Sequence, residues 1–158
     1  MKPRLYLETT IPSYLVARPS RDLRLAADQL ATQEWWDESR RDYELFVSQT
    51  VLKEAGRGDA AFASARLARI AGIPLLSDLR EAAELAKRLL ADRIVPDVAA
   101  DDATHIALAA AHGMDYLLTW NCRHINNHRV RARIGQACEA AGLVCPDICT
   151  PTELMNTP

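Results

Sequence analysis

The chain has 158 residues, 49% hydrophobic and 25% charged, with a formal net charge of -2. That is enough for one domain with a real core, spanning residues 1–158. Bulk charge does not mark a nucleic-acid binder, and no apolar run is long enough to span a bilayer.

Met1-Lys2-Pro3-Arg4 leads straight into a strand-like run, with no signal peptide in view, so a cytoplasmic protein with reduced cysteines is expected. Cys122, Cys138, Cys145 and Cys149, with His124 and His128, carry zinc-ligating atoms. Their spacings match no common paired-cysteine pattern, and buried, inert thiols are the better expectation.

Leu5-Tyr6-Leu7 reads as a short buried strand, followed at once by Glu8-Thr9-Thr10 and a helical turn over Ile11–Leu15 with Pro12 near its start. Two readings of Glu8 stand: an acid capping that turn, or a ligand at the carboxyl end of a strand, where open α/β sheets bind. Ser20 to Arg41 has a long helical pattern with Leu23, Ala26, Ala27, Leu30, Trp35 and Trp36 on its apolar side. The tryptophans fit core or dimer contacts better than a ligand box.

Tyr43–Ser48 reads as the second strand, and Thr50–Glu54 begins a helix that stops near Gly56 or Gly58. Asp59–Ala71 is a further helix ending at Gly72. Ile73–Leu76 is a brief strand that Pro74 confines to a sheet edge. Asp78–Leu90 is a strongly periodic helix, broken at Arg93–Pro96.

Asp101-Asp102 opens the next helix, in which Ile106, Ala107 and Ala110 share one face while Asp102 and His105 lie on another. Carboxylates at a helix start are held ionised by the macrodipole. Asp101 competes with Asp102, one capping the helix while the other faces the site. Asp115–Thr119 is the central strand, ending at Trp120-Asn121. Val130–Ala141 is a helix closed by Gly142, Leu143–Cys145 the last strand, and Thr150–Leu154 a closing turn. Strands alternating with helices predict a parallel sheet in a three-layer α/β/α domain.

Glu8, Glu54, Asp102 and Asn121 recur at strand ends or helix starts. Parallel strands gather such ends at one edge, and acids clustered there repel one another unless they hold a cation. Oxygen donors favour Mg²⁺ or Mn²⁺, the chemistry of phosphodiester hydrolysis. No Gly-rich phosphate loop is present, which disfavours a dehydrogenase or an ATPase. Thr119 has a hydroxyl able to orient a water, or only strand propensity. His105 either bonds a nearby carboxylate, meets a phosphate or packs as a satisfied core histidine. No acid lies between Asp115 and Glu139, whereas Arg123, Arg129, Arg131 and Arg133 do. That stretch reads as an RNA-binding surface or as a solvated helix face.

Leu7-Glu8-Thr9-Thr10, Val51-Leu52-Lys53-Glu54, Asp102-Ala103-Thr104-His105-Ile106-Ala107 and Leu118-Thr119-Trp120-Asn121, in that order, resemble the PIN-domain ribonucleases, and within them VapC-type toxins of toxin–antitoxin modules. The resemblance implies a PIN-like fold with a central parallel sheet of about five strands. It also implies Mg²⁺- or Mn²⁺-dependent cleavage of RNA, frequent homodimers and inhibition by an antitoxin protein. The family's acidic positions fall on Glu8, Glu54, Asp102 and Asn121. Glu8 stands where Asp is usual, one methylene longer, and Asn121 stands where Asp is frequent, removing a charge but keeping a carbonyl oxygen. The rival reading is a catalytically weak PIN-like module that binds protein or RNA.

Overall fold

Leu5, Tyr6 and Leu7 expose no surface, and neither do Leu117 and Leu118. Successive strand residues point to opposite faces, so runs buried throughout need cover on both. A computed structural model describing residues 1–158 supplies that cover with an α/β architecture. Strands β1 (Arg4–Leu7), β2 (Glu44–Phe46), β3 (Tyr116–Leu118) and β4 (Asp147–Cys149) form one parallel sheet in the order β2-β1-β3-β4. Tyr6 pairs with Phe46 on one side and Leu117 on the other.

Eight α-helices link and cover the strands. They are α1 (Thr10–Val16), α2 (Leu23–Glu34), α3 (Gln49–Ala55), α4 (Ala60–Ile70), α5 (Arg80–Ala91), α6 (Ala100–Ala111), α7 (His128–Ala140) and α8 (Pro151–Met155). Helix α5 packs on α6 and α7, while α1 packs on α2 and α4, and α2 on α8. This is compatible with helices on both faces. No helix is long and apolar enough to cross a membrane.

Three expectations change. The last strand is Asp147–Cys149, not Leu143–Cys145. Leu143 N–H caps α7 through Cys138 O, and Val144 is 79% exposed. Pro146, which has no N–H, precedes the true strand. The edge strand at Ile73–Leu76 shrinks to one bridge between Val47 and Leu75, leaving four full strands. Val47 N–H donates to Pro74 O and Leu76 N–H to Val47 O, but Pro74 cannot extend the ladder.

The predicted helix of Ser20–Arg41 is interrupted. Asp22 caps α2, which passes at Trp35–Ser39 into a π turn and at Arg40–Asp42 into a 3₁₀ turn. Trp35 and Trp36 are buried in the core, whereas Leu23 and Leu30 face solvent and Thr32 is the only buried residue of α2. Cys138 and Cys149 are buried as expected, but Cys122 is exposed.

The strand reassignment has a direct consequence. Ile148 is 3% exposed on β4, so Ile148→Ala should cost about 2–5 kcal/mol of unfolding free energy in a urea titration. Val144→Ala should stay within about 0.5 kcal/mol. The reverse ranking would return the strand to Leu143–Cys145.

Candidate functional site

Because all four strands run the same way, the residues following β1, β2 and β3 emerge at one edge of the sheet. Glu8 follows β1 and is still held by the sheet, its N–H donating to Leu118 O at 3.1 Å. The residue is 3% exposed. Thr10 N–H donates to Oε1 at 3.2 Å and Oε2 at 2.9 Å, and the Thr119 hydroxyl donates to Oε2 at 3.1 Å. Glu8 therefore does cap the start of α1, yet it is far more enclosed than a surface cap. Burial pushes its carboxyl above the ordinary value; His105 and the Thr10 hydrogen bonds oppose this without reversing it.

The hydroxyl of Thr119 does two jobs, since it also accepts Asn121 N–H at 2.9 Å. Thr10 likewise holds the far side of the loop, its hydroxyl accepting Trp120 N–H at 2.8 Å. These contacts tie the end of β3 to the start of α1 around one carboxylate.

Glu54 comes from α3, which Ser48 caps by accepting Val51 N–H. Thr9 donates its hydroxyl to Glu54 Oε1 at 2.7 Å, and His105 Nε2 lies 2.5 Å from the same oxygen. Burial raises the Glu54 carboxyl, but the His105 hydrogen bond and charge, the Thr9 hydroxyl and Arg57 together hold it below its ordinary value. His105 is fully buried, which disfavours charge. Its bond to Glu54 and the charges of Glu8, Glu54 and Asp102 outweigh that and keep the imidazole above its ordinary value.

His105 Nε2 faces Glu54, and its Nδ1 shares a hydrogen bond with the Tyr6 hydroxyl at 2.7 Å. The Tyr6 hydroxyl, its ionisation suppressed by burial, also shares a hydrogen bond with Ser48 Oγ at 2.7 Å. Of the roles open to His105, the structure gives it a carboxylate partner, and that partner is Glu54 rather than Asp102.

Asp102 and Asp101 both lie in the first turn of α6, and neither is its N-cap, which is Ala99. Their environments separate them. Asp101 is bridged by Lys53 at 2.9 Å and Arg57 at 3.5 Å, with 30% of its side chain exposed. Asp102, with 14% of its side chain exposed, has Oδ2 2.8 Å from His124 Nδ1.

Asn121 does not present a free carbonyl. Its Oδ1 accepts His124 N–H at 3.0 Å, which builds the turn that brings His124 to Asp102. That contact gives Asn121 a positioning role toward His124. His124 is thus part of the site although the sequence pattern did not select it. The signal was its place three residues after an Asn that ends a strand. Tyr6 and Ser48 gave no signal, because a strand tyrosine and a helix-capping serine read as structure.

The basic stretch divides as well. Arg123 and Arg129 are exposed, and neither guanidinium makes a hydrogen bond or ion pair; the Arg123 carbonyl accepts from the Asn127 amide at 3.0 Å. Arg131 donates to Ile148 O at 3.3 Å. Arg133 donates to Asp92 O at 2.8 Å and Arg93 O at 3.4 Å. It caps the end of α5, where Arg93 has φ of 53° and the carbonyls lack helical partners.

The donor set is hard oxygen. Glu54 Oε2 and Asp102 Oδ1 accept no hydrogen bond, since the protein contacts engage only Oε1 and Oδ2. These acids fit a divalent cation in chemical kind. As the side chains stand, however, no three His, Cys, Asp or Glu groups are disposed to surround an ion. Compared with protein-family models and with curated proteins, the chain matches none.

Removing either buried hydroxyl should be felt in the fold. Tyr6→Phe leaves His105 Nδ1 without a partner and Ser48 Oγ short of one, and Thr119→Val leaves Asn121 N–H and Glu8 Oε2 short of one. Each should lower unfolding free energy by about 1–3 kcal/mol. Denaturation in urea checks this; two variants as stable as the parent would mean that the network does not hold the edge together.

Proposed function

We propose that this protein is a metal-dependent endoribonuclease of PIN-domain type, built as a three-layer α/β/α fold and resembling the VapC toxins. One observation carries the reading. Glu8, Glu54 and Asp102, from three separate stretches of chain, are each fixed by hydrogen bonds at the carboxyl edge of a parallel sheet. Chains gain nothing in stability from desolvated acids, so such a cluster points to a role in chemistry. An antitoxin partner, a homodimer and a cytoplasmic setting belong to the same proposal through the resemblance.

Glu8, Glu54 and Asp102 would hold Mg²⁺ or Mn²⁺. The chemistry such a cation supplies when bound is neutralisation of phosphate charge and a more acidic water. The chain's own residues set the acids. Thr10 and Thr119 orient Glu8. Thr9 and His105 hold Glu54 by Oε1 and leave Oε2 as its free donor. His124, positioned by Asn121, holds Asp102 by Oδ2 and leaves Oδ1. Exposed Arg123, beside His124, and Arg129 are suited to RNA phosphates.

A second reading has its own support. Each acid already has hydrogen-bond donors of the protein, and no ready-made ion cage surrounds them. That favours a catalytically weak module that binds RNA or protein.

Cleavage of a labelled RNA during Mn²⁺ and Mg²⁺ titrations separates the two. Asp102→Asn should slow cleavage by at least about 100-fold and raise the Mn²⁺ requirement, because one charge and one ligand oxygen are lost. Asp101→Asn, which disturbs only a surface pairing with Lys53 and Arg57, should be milder. Equal rates for Asp102→Asn and the parent under limiting Mn²⁺ would sink the assignment. Arg129→Ala should weaken RNA binding without changing stability. Arg133→Ala should lower the melting temperature instead, and an affinity loss confined to Arg133→Ala would reverse those two roles.

A further inference from the structure

A groove of about 580 Å³ opens between the end of α1 and the start of α4. Arg18, Arg57 and Arg66 line it, and Asp59 is the only acid among its lining residues. Asp59 is committed elsewhere: its Oδ1 accepts Ala61 N–H and Phe62 N–H as the cap of α4. Arg57 also pairs with Asp101 at 3.5 Å, whereas Arg18 pairs with no acid, and the positive lining as a whole favours an anion.

The groove is built, not accidental. Arg66 donates Nε–H to Ala55 O at 2.8 Å and a second N–H to Arg57 O, which fixes the loop carrying Arg57. Gly58, with φ of 83°, gives that loop its turn. On the other wall, Gln29 donates to Arg18 O at 3.2 Å and accepts Ser20 N–H at 2.9 Å. The Arg18 guanidinium lies over the Phe62 ring at 5.6 Å and makes no hydrogen bond or ion pair. A cation held by an aromatic face keeps its N–H donors available.

Two short paths join this groove to the acids. Arg57 N–H donates to Glu54 O at 3.1 Å. Ser13 donates its hydroxyl to Thr9 O at 2.9 Å, and the Thr9 hydroxyl bonds Glu54. The groove and Glu54 thus flank the same loop after α3, so an RNA strand that passes the acids on this side meets Arg57 and Arg18. An acidic peptide also suits guanidinium groups, but no regular spacing would carry it from the groove to Glu54. We infer that the Arg18–Arg57–Arg66 groove is a phosphate subsite for the RNA strand, on the Glu54 flank of the acid cluster. This rests on the ribonuclease reading and adds a contact on the Glu54 side, apart from Arg123 and Arg129.

The test uses the full chain and a short labelled oligoribonucleotide, with chelator present so that binding is read without cleavage. Arg18→Glu should raise Kd about tenfold at low salt, and Arg18→Ala should flatten the log–log salt slope by about 0.7. Arg18 is exposed, so thermal unfolding should stay at the parent value in both. An uncharged methylphosphonate moved along the oligonucleotide should weaken parent binding at one position to one side of the cleaved bond. Arg18→Ala should be indifferent to it there. If the parent cleaves RNA while both variants bind with its affinity and salt slope, the subsite is wrong and the ribonuclease reading stands. A parent that neither binds nor cleaves RNA overturns both. If Arg18→Glu keeps RNA binding but loses oligoglutamate binding, the groove serves an acidic protein partner and the subsite is overturned.

Discussion

His105, enclosed between the Tyr6 hydroxyl and the Glu54 carboxylate, is the buried junction of the acidic edge. Tyr6 belongs to β1, Ser48 caps α3, Glu54 ends α3, and His105 sits in α6. One hydrogen-bonded run thus joins the central strand to the two helices that carry acids. Against the burial that disfavours its charge, the Glu54 hydrogen bond and the surrounding acids hold the His105 imidazole above its ordinary value. Buried ion pairs seldom add net stability, because desolvation offsets the attraction. Their value lies in geometry: breaking one leaves a charge with no partner, so the arrangement is rigid.

The three acids are held in three different ways. Glu8 is clamped by backbone and hydroxyl donors, Glu54 by a buried imidazole and a hydroxyl, and Asp102 by a partly exposed histidine on a loop. Glu8 is the most enclosed, while the side chains of Asp102 and Glu54 are 14% and 21% exposed. Loops open more readily than sheet edges, so Asp102 and His124 are the members best able to rearrange when a cation or phosphate arrives.

Cationic side chains show how little composition says about their use. Arg133 and Arg66 donate to backbone carbonyls and act as fasteners. Lys53 and Arg57 neutralise Asp101, so the neighbouring Asp102 is the acid left to the site. Arg18, Arg123 and Arg129 keep their donors free. Equal charges do structural, electrostatic or recognition work according to which carbonyl or carboxylate lies within reach.

The alternation of strands and helices, and the central buried runs at Leu5–Leu7 and Tyr116–Leu118, were legible in the sequence, because apolar residues needing cover on both faces leave few alternatives. The positions of Glu8, Glu54 and Asp102 at element ends were legible for the same reason. What tertiary structure alone decided were pairings. Leu143-Val144-Cys145 has stronger strand propensity than Asp147-Ile148-Cys149, yet only the latter meets β3. Trp35 and Trp36 are buried while Leu23 and Leu30 are not, since α2 turns its apolar side outward before the π turn. His105 choosing Glu54, His124 choosing Asp102 and Arg133 choosing the end of α5 each join residues distant in the chain. Local propensity reads neighbours in sequence; hydrogen bonds and charges act over a few ångströms of space, and only the folded chain sets those distances.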